Sequence, residues 1–179
     1  MCGIAGFIDQ SGIKYGDWTA SAQRMSDSIE HRGPDCGGVW IDIGSGVGLA
    51  HRRLSVLDLS PAGHQPMMSA CERYVITFNG EIYNHLDLRR ELINEGHQWR
   101  GHSDTETLLA GFGRWGIKAT LEKSVGMFAL AVWDRKRQTL TLARDRLGEK
   151  PVYYGWQGGV FLFGSELKAL KAHPAFCGE

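Results

Sequence analysis

Between residues 127 and 163 four short apolar runs, 127–133, 139–143, 152–156 and 160–163, succeed one another with only charged or glycine-containing connections. Connections that short exclude the crossover helices that parallel strands need, so the last third is predicted to be an antiparallel meander. Helical periodicity falls elsewhere, in two groups. Residues 17–30 bring Ala22, Met25 and Ile29 to one face, and His31-Arg32-Gly33-Pro34-Asp35 stops the pattern. Residues 86–95 place Leu88, Leu92 and Ile93 at helical spacing, and Ser103-Asp104-Thr105-Glu106 has the form of a capping box ahead of Leu108, Leu109 and Phe112. A short helix over 165–172 ends before Pro174. Strand candidates fill the spaces between: the opening run with Ile4, Phe7 and Ile8, a hairpin from 38–43 and 47–57, and 73–78 running into the turn signal Asn79-Gly80. Residues 9–16 and 60–66 read as loops. Two groups of helices between two sets of strands predict an α+β fold of four layers: helix, sheet, sheet and helix.

A chain of 179 residues suits one domain spanning 1–179, large enough to bury a core without disulfides or metal. Twenty Lys and Arg balance twenty Asp and Glu, which argues against non-specific binding to nucleic acid or to an acidic membrane. The sequence has neither an apolar run of about 18 residues nor the basic, apolar and small-residue order of a secretory signal, so a cytoplasmic location is expected. Cys2, Cys36, Cys71 and Cys177 form no C-x-x-C pair, the seven histidines do not cluster at ligand spacing, and no glycine pair belongs to a phosphate loop. Neither a metal nor a nucleotide is expected here.

Cys2 stands directly behind the initiator methionine. Trimming of Met1 would leave a thiol and a free α-amine on one residue, and such an amine is a suitable proton acceptor for a thiol, so Cys2 could supply nucleophile and base together. It could equally be a buried start-of-strand cysteine. Attack on an amide carbonyl needs donors waiting where negative charge develops. Asn79 and Gly80 could supply a side-chain amide and a backbone N–H, although the same pair makes a type I′ hairpin turn, the simpler reading of it in isolation. Strand alternation aims Arg52 and Arg53 to opposite faces, so one of them could fork onto a carboxylate in a pocket or make a structural ion pair. Asp104, at a helix start, could hold an ammonium group or only complement the helix dipole.

Taken as a set and in order, Cys2-Gly3-Ile4-Ala5-Gly6, His31-Arg32-Gly33-Pro34-Asp35, Arg53-Leu54-Ser55-Val56-Leu57-Asp58, Gly63-His64-Gln65-Pro66-Met67, Phe78-Asn79-Gly80-Glu81-Ile82-Tyr83-Asn84, Ser103-Asp104-Thr105-Glu106, Arg144-Asp145-Arg146-Leu147-Gly148-Glu149-Lys150-Pro151 and Phe163-Gly164-Ser165-Glu166-Leu167-Lys168 closely resemble the N-terminal glutaminase domain of glutamine-hydrolysing asparagine synthetases. These are class II glutamine amidotransferases among the N-terminal nucleophile hydrolases. The resemblance implies a four-layer αββα sandwich and hydrolysis of the L-glutamine side-chain amide through a glutamyl thioester on Cys2. It implies the freed amine of Cys2 as base, Asn79 and Gly80 as the oxyanion hole and Arg53 on the glutamine α-carboxylate. It further implies Asp104 with Glu81 on the α-ammonium, and the backbone of Leu54, Ser55, Val56 and Leu57 as pocket lining. No cofactor is implied for this domain; ATP and Mg2+ would belong to a synthetase domain or subunit that receives the ammonia, most simply to make asparagine from aspartate. The pyrophosphate loop of such a domain is missing from this sequence, so the chain is expected to be the front half of a longer enzyme or to serve a separate partner. Another amidation acceptor, and a non-catalytic glutamine-binding or regulatory module, are the alternatives.

Overall fold

Strand β1 (Gly3–Asp9) is held on both edges, antiparallel to β3 (Val47–Arg53) on one side and to β9 (Val160–Gly164) on the other, with Ala5 opposite both Ala50 and Gly164. The computed structural model in which this is seen describes residues 1–10, 17–54 and 63–178. β2 (Cys36–Asp42) and β8 (Tyr153–Gln157) complete a five-stranded sheet in the order β2-β3-β1-β9-β8. The second sheet, β4-β5-β6-β7, is formed by β4 (Met67–Met68), β5 (Tyr74–Ile82), β6 (Gly126–Asp134) and β7 (Thr139–Arg144). Every pairing between named strands is antiparallel.

Helices α1 (Trp18–Asp27) and α5 (Leu167–Lys171) cover the outer face of the first sheet, where Ala22, Met25 and Leu170 pack on Ala5, Phe7 and Leu162. Helices α2 (His85–Asn94), α3 (Asp104–Arg114) and α4 (Ile117–Lys123) cover the second, where Leu88, Leu108 and Phe112 pack on Ile76, Phe78 and Leu130. Val47, Leu49, Val75, Ala131, Trp133 and Phe163 fill the space between the sheets. The four expected layers are therefore present. Each large apolar side chain so buried contributes about 1.5–3 kcal/mol.

Several sequence expectations need correction. The last third is not one meander: β6 and β7 form a hairpin in the second sheet, and β8 and β9 a hairpin in the first. Short connections dictate antiparallel neighbours but not which sheet receives them. Asn79-Gly80 is not a turn. β5 runs through both residues to Ile82, with Asn79 opposite Ala129 and Gly80 opposite Phe128, because a nine-residue partner strand outweighs a two-residue turn signal. α1 ends at Asp27 and is followed by a single 3-10 turn, Glu30–Arg32. Ser103 does cap α3, accepting from Glu106 N at 3.2 Å, but Glu106 turns away from the capping box and accepts from Arg100 N and Gly101 N at 2.8 and 2.9 Å. The helix α4 was not anticipated. The expected continuation of β3 through 55–57, and most of the 9–16 loop, lie outside the described residues.

Candidate active site

Strand parity directs four side chains into one end of the gap between the sheets. Val47 and Leu49 of β3 face that gap, so His51 and Arg53 do too, while Arg52 turns to the other face and pairs with Asp27 and Glu30 beside α1. On β5, Val75 faces the gap and Thr77 Oγ1 donates across it to Ala50 O at 2.9 Å, which gives Asn79 and Glu81 the same direction. A cavity of about 270 Å³ opens there, lined by Cys2, Arg53, Asn79, Gly80, Glu81 and Asp104 among others.

The thiol of Cys2 is fixed against the end of β3. Leu54 N donates to its Sγ at 3.4 Å, and Sγ lies 3.5 Å from Leu54 O. Behind it, Arg32 Nε donates to Cys2 O at 3.0 Å, and, two residues on, Ser165 holds Ile4 twice, its hydroxyl accepting from Ile4 N at 3.0 Å and its N–H donating to Ile4 O at 2.8 Å.

The free edge of β5 presents three amides. Phe128 exchanges both its backbone bonds with Asp145, so Gly80 opposite it stands in a pair without cross-strand bonds and its N–H points away from β6. Phe78 N, of the same parity, donates to Gln65 Oε1 at 2.7 Å, and Ile82 N to Asp104 Oδ2 at 3.0 Å. Gly80 N–H lies between those two, on the cavity. Beside it, Asn79 is 2% exposed, and among the described residues its Nδ2 has no hydrogen-bond acceptor. An orphaned buried donor ordinarily costs about 1–3 kcal/mol, so it is kept only where something else is gained. Two adjacent donors facing a thiol are the equipment for stabilising an oxyanion.

The cavity also carries charges of both signs. Arg53 contributes a cation, its guanidinium lying against Gly63, where a Cβ would collide with it. Asp104 is 6% exposed; burial pushes its carboxyl pKa up, opposed by the hydrogen bond from Ile82 N. Since Ser103 is the cap of α3, Asp104 is released from capping and turns its carboxylate to β5. Leu54 and Glu81 also line the cavity, whereas Ser55, Val56 and Leu57 lie outside the described residues.

Residues 1–179 match a family model described as a glutamine amidotransferase domain. The chain belongs to that family. Among similar proteins, the amidotransferase domain is 45% identical to glutamine-hydrolysing asparagine synthetase 3 of Bacillus subtilis (strain 168), over 97% of this chain and 28% of that protein. It is 36% identical to a putative glutamine-hydrolysing asparagine synthetase 2 of Methanocaldococcus jannaschii, over 96% of this chain and 35% of that one. It is 35% identical to amidase chry2 of Gibberella zeae, over 99% and 28%. The domain thus spans about a third or less of the length of these relatives. Its fold matches glutamine phosphoribosylpyrophosphate amidotransferase of B. subtilis at a TM-score of 0.78, with 21% identity, over 96% of this chain and 43% of that one.

Three supports of the site in this amidotransferase domain were not assigned roles from sequence. His51, one of the seven histidines that do not cluster at ligand spacing, is 1% exposed with Nε2 3.0 Å from Phe78 O. Burial lowers its pKa to about 3, so it is a neutral imidazole donating to a carbonyl in the cavity wall. Gln65 bridges the cavity floor, holding Phe78 N with its oxygen and donating from Nε2 to Thr105 Oγ1 at 3.2 Å. The Arg32 that holds Cys2 is itself held by Glu166, which also meets His31 and Lys168 at 3.0 and 3.2 Å. Burial opposes ionisation of Glu166, but the hydrogen bonds from Arg32, His31 and Lys168 outweigh it and draw its pKa down to about 2. Gly33 lets this loop lie on the Arg52 backbone, where a Cβ has no space, and Asp35 N then donates to Arg53 O at 3.2 Å. The quoted motifs were the available signal, but they did not say which distant residues would meet.

Proposed function

We propose that this domain hydrolyses the side-chain amide of L-glutamine. The observation that carries the reading is the pair of donors, Asn79 Nδ2 and Gly80 N–H, on the cavity that holds the Cys2 thiol. With Met1 removed, the Cys2 amine takes the thiol proton and Sγ attacks the amide carbon. Negative charge gathers on the amide oxygen, where the two donors receive it. Collapse of the tetrahedral intermediate breaks the C–N bond, the amine returns its proton to the leaving nitrogen, and ammonia departs. Water then attacks the glutamyl thioester and gives a proton to the same amine; the C–S bond breaks, the amine returns that proton to Sγ, and glutamate leaves. Arg53 takes the substrate α-carboxylate, and Asp104 with Glu81 takes the α-ammonium, an arriving cation that favours the ionised form of Asp104.

The ammonia passes to an ATP-dependent synthetase domain or subunit. The names of the B. subtilis and M. jannaschii relatives favour asparagine as the product, made from aspartate. A different acceptor is the second reading, favoured by the similarity to a protein named an amidase. The decisive experiment incubates protein lacking Met1, verified by intact mass, with glutamine and measures glutamate and ammonia. Release by wild type and none by Cys2→Ala is expected; equal traces from both would remove the proposal.

A further inference from the structure

The cavity wall beside the thiol holds a cation that the scheme above leaves unused. Lys150 is 8% exposed, and among the described residues no carboxylate pairs with its ammonium; its Nζ lies 3.5 Å from Sδ of Met1 instead. Buried ammonium groups are ordinarily paired, so this one is held for a reason other than ion pairing. Its backbone is pinned. The Asp145 carboxylate accepts from Phe128 N, Leu147 N, Glu149 N and Lys150 N at 2.9–3.1 Å, tying the segment to β6. The thioether that Lys150 touches belongs to the residue whose removal frees the Cys2 amine. Covalent geometry limits the distance from Met1 Sδ to the Cys2 nitrogen, which brings that nitrogen within about 10 Å of the ammonium.

We propose that Lys150 is a positioning residue whose charge keeps the freed amine of Cys2 in its neutral, proton-accepting form, a role that rests on the glutaminase reading. A neighbouring cation disfavours protonation of an amine. At this separation, in a partly buried site, the effect is about one pH unit. Other groups facing the cavity have other roles or partners. His51 of β3 is neutral, Arg53 and the Asp104 and Glu81 carboxylates line the cavity with charges of both signs and are assigned in the proposed function to the two ends of the substrate, and Arg32 is paired with Glu166. Lys150 is the cation set against the chain's first residue.

The test is the pH profile of kcat/KM for glutamine in mature wild type, Lys150→Met and Lys150→Arg. The acidic limb should move up by about one pH unit in Lys150→Met, an approximately tenfold loss on the acid side, and stay in place in Lys150→Arg. An unmoved limb in Lys150→Met, or the same displacement in both variants, overturns the proposal, the latter because packing rather than charge would be responsible. Should Lys150→Met fail to fold, an NMR titration of the ¹⁵N-labelled Cys2 amine in wild type decides the matter. Titration below the ordinary α-amine range supports the role, and titration within or above it ends it. That readout needs no turnover, so a wild type that releases no glutamate removes the glutaminase reading while the titration still judges Lys150.

Discussion

His51 should make the protein lose stability on mild acidification, before its carboxylates titrate. In the unfolded chain a histidine takes up a proton below about pH 6.5, whereas buried His51 resists until about pH 3. Its folded value is depressed, so the unfolded state binds more protons throughout that window and stability falls as pH falls. Each pH unit costs about 1.4 kcal/mol per such group, which amounts to about 2 kcal/mol between pH 6.5 and 5. His173, whose pKa burial lowers to about 4, and His97, lowered by burial as well, act in the same direction. The share of His51 is isolated by comparison with His51→Gln, which keeps an amide donor near Phe78 O but no titrating ring. The assay is urea unfolding followed by tryptophan fluorescence at pH 7, 6 and 5, with equal m-values as the condition for comparison. Whatever its starting stability, the variant's curve should be shallower, by a difference that approaches about 1.4 kcal/mol per pH unit below pH 6. Parallel curves would refute the assignment of His51 as a buried neutral imidazole.

Replacing the orphaned donor, Asn79→Ala, should slow glutamate release by roughly 10² to 10³, about 2.7–4 kcal/mol of barrier, with little change in stability; an unchanged turnover number would reduce Asn79 to a strand residue. Glu166 has a folded pKa of about 2 against an ordinary 4.5, so its stabilisation is present above pH 4.5 and lost as pH falls towards 2. Glu166→Gln should flatten that part of the acid unfolding curve and loosen Cys2 through Arg32, read as a faster reaction of the thiol with a bulky alkylating reagent.

What the sequence made legible was local. Alternation on β3 separates Arg52 from Arg53, and they do face opposite ways, one to Asp27 and Glu30 and the other to the cavity. Most helices and strands lie where periodicity places them, for the same reason. Partnership between distant elements was not legible: nothing in 139–143 or 152–156 says that one joins the second sheet and the other the first. Asn79-Gly80 shows the cost of local reading, since the turn signal yields to pairing with Ala129 and Phe128, about fifty residues later. Of the site, Cys2, Arg53, Leu54, Asn79, Gly80, Glu81 and Asp104 line one cavity. His51 and Gln65 escaped because burial and hydrogen bonding depend on what closes over a side chain. The Arg32–Glu166 pair joins residues 134 apart, beyond the reach of any sequence window.

The double pairing of β1 bears on timing. Its partner β9 begins at Val160, and Ile4 is bonded to Ser165, so the strand that follows the thiol is held on both edges only after nearly all of these residues have left the ribosome. Until then β1 has its pairing with β3 but lacks its other edge, which leaves the amino end more open to an aminopeptidase. The removal of Met1 that the proposed chemistry requires would thus have its easiest access early in synthesis, before the start of the chain settles against Arg32 and Lys150.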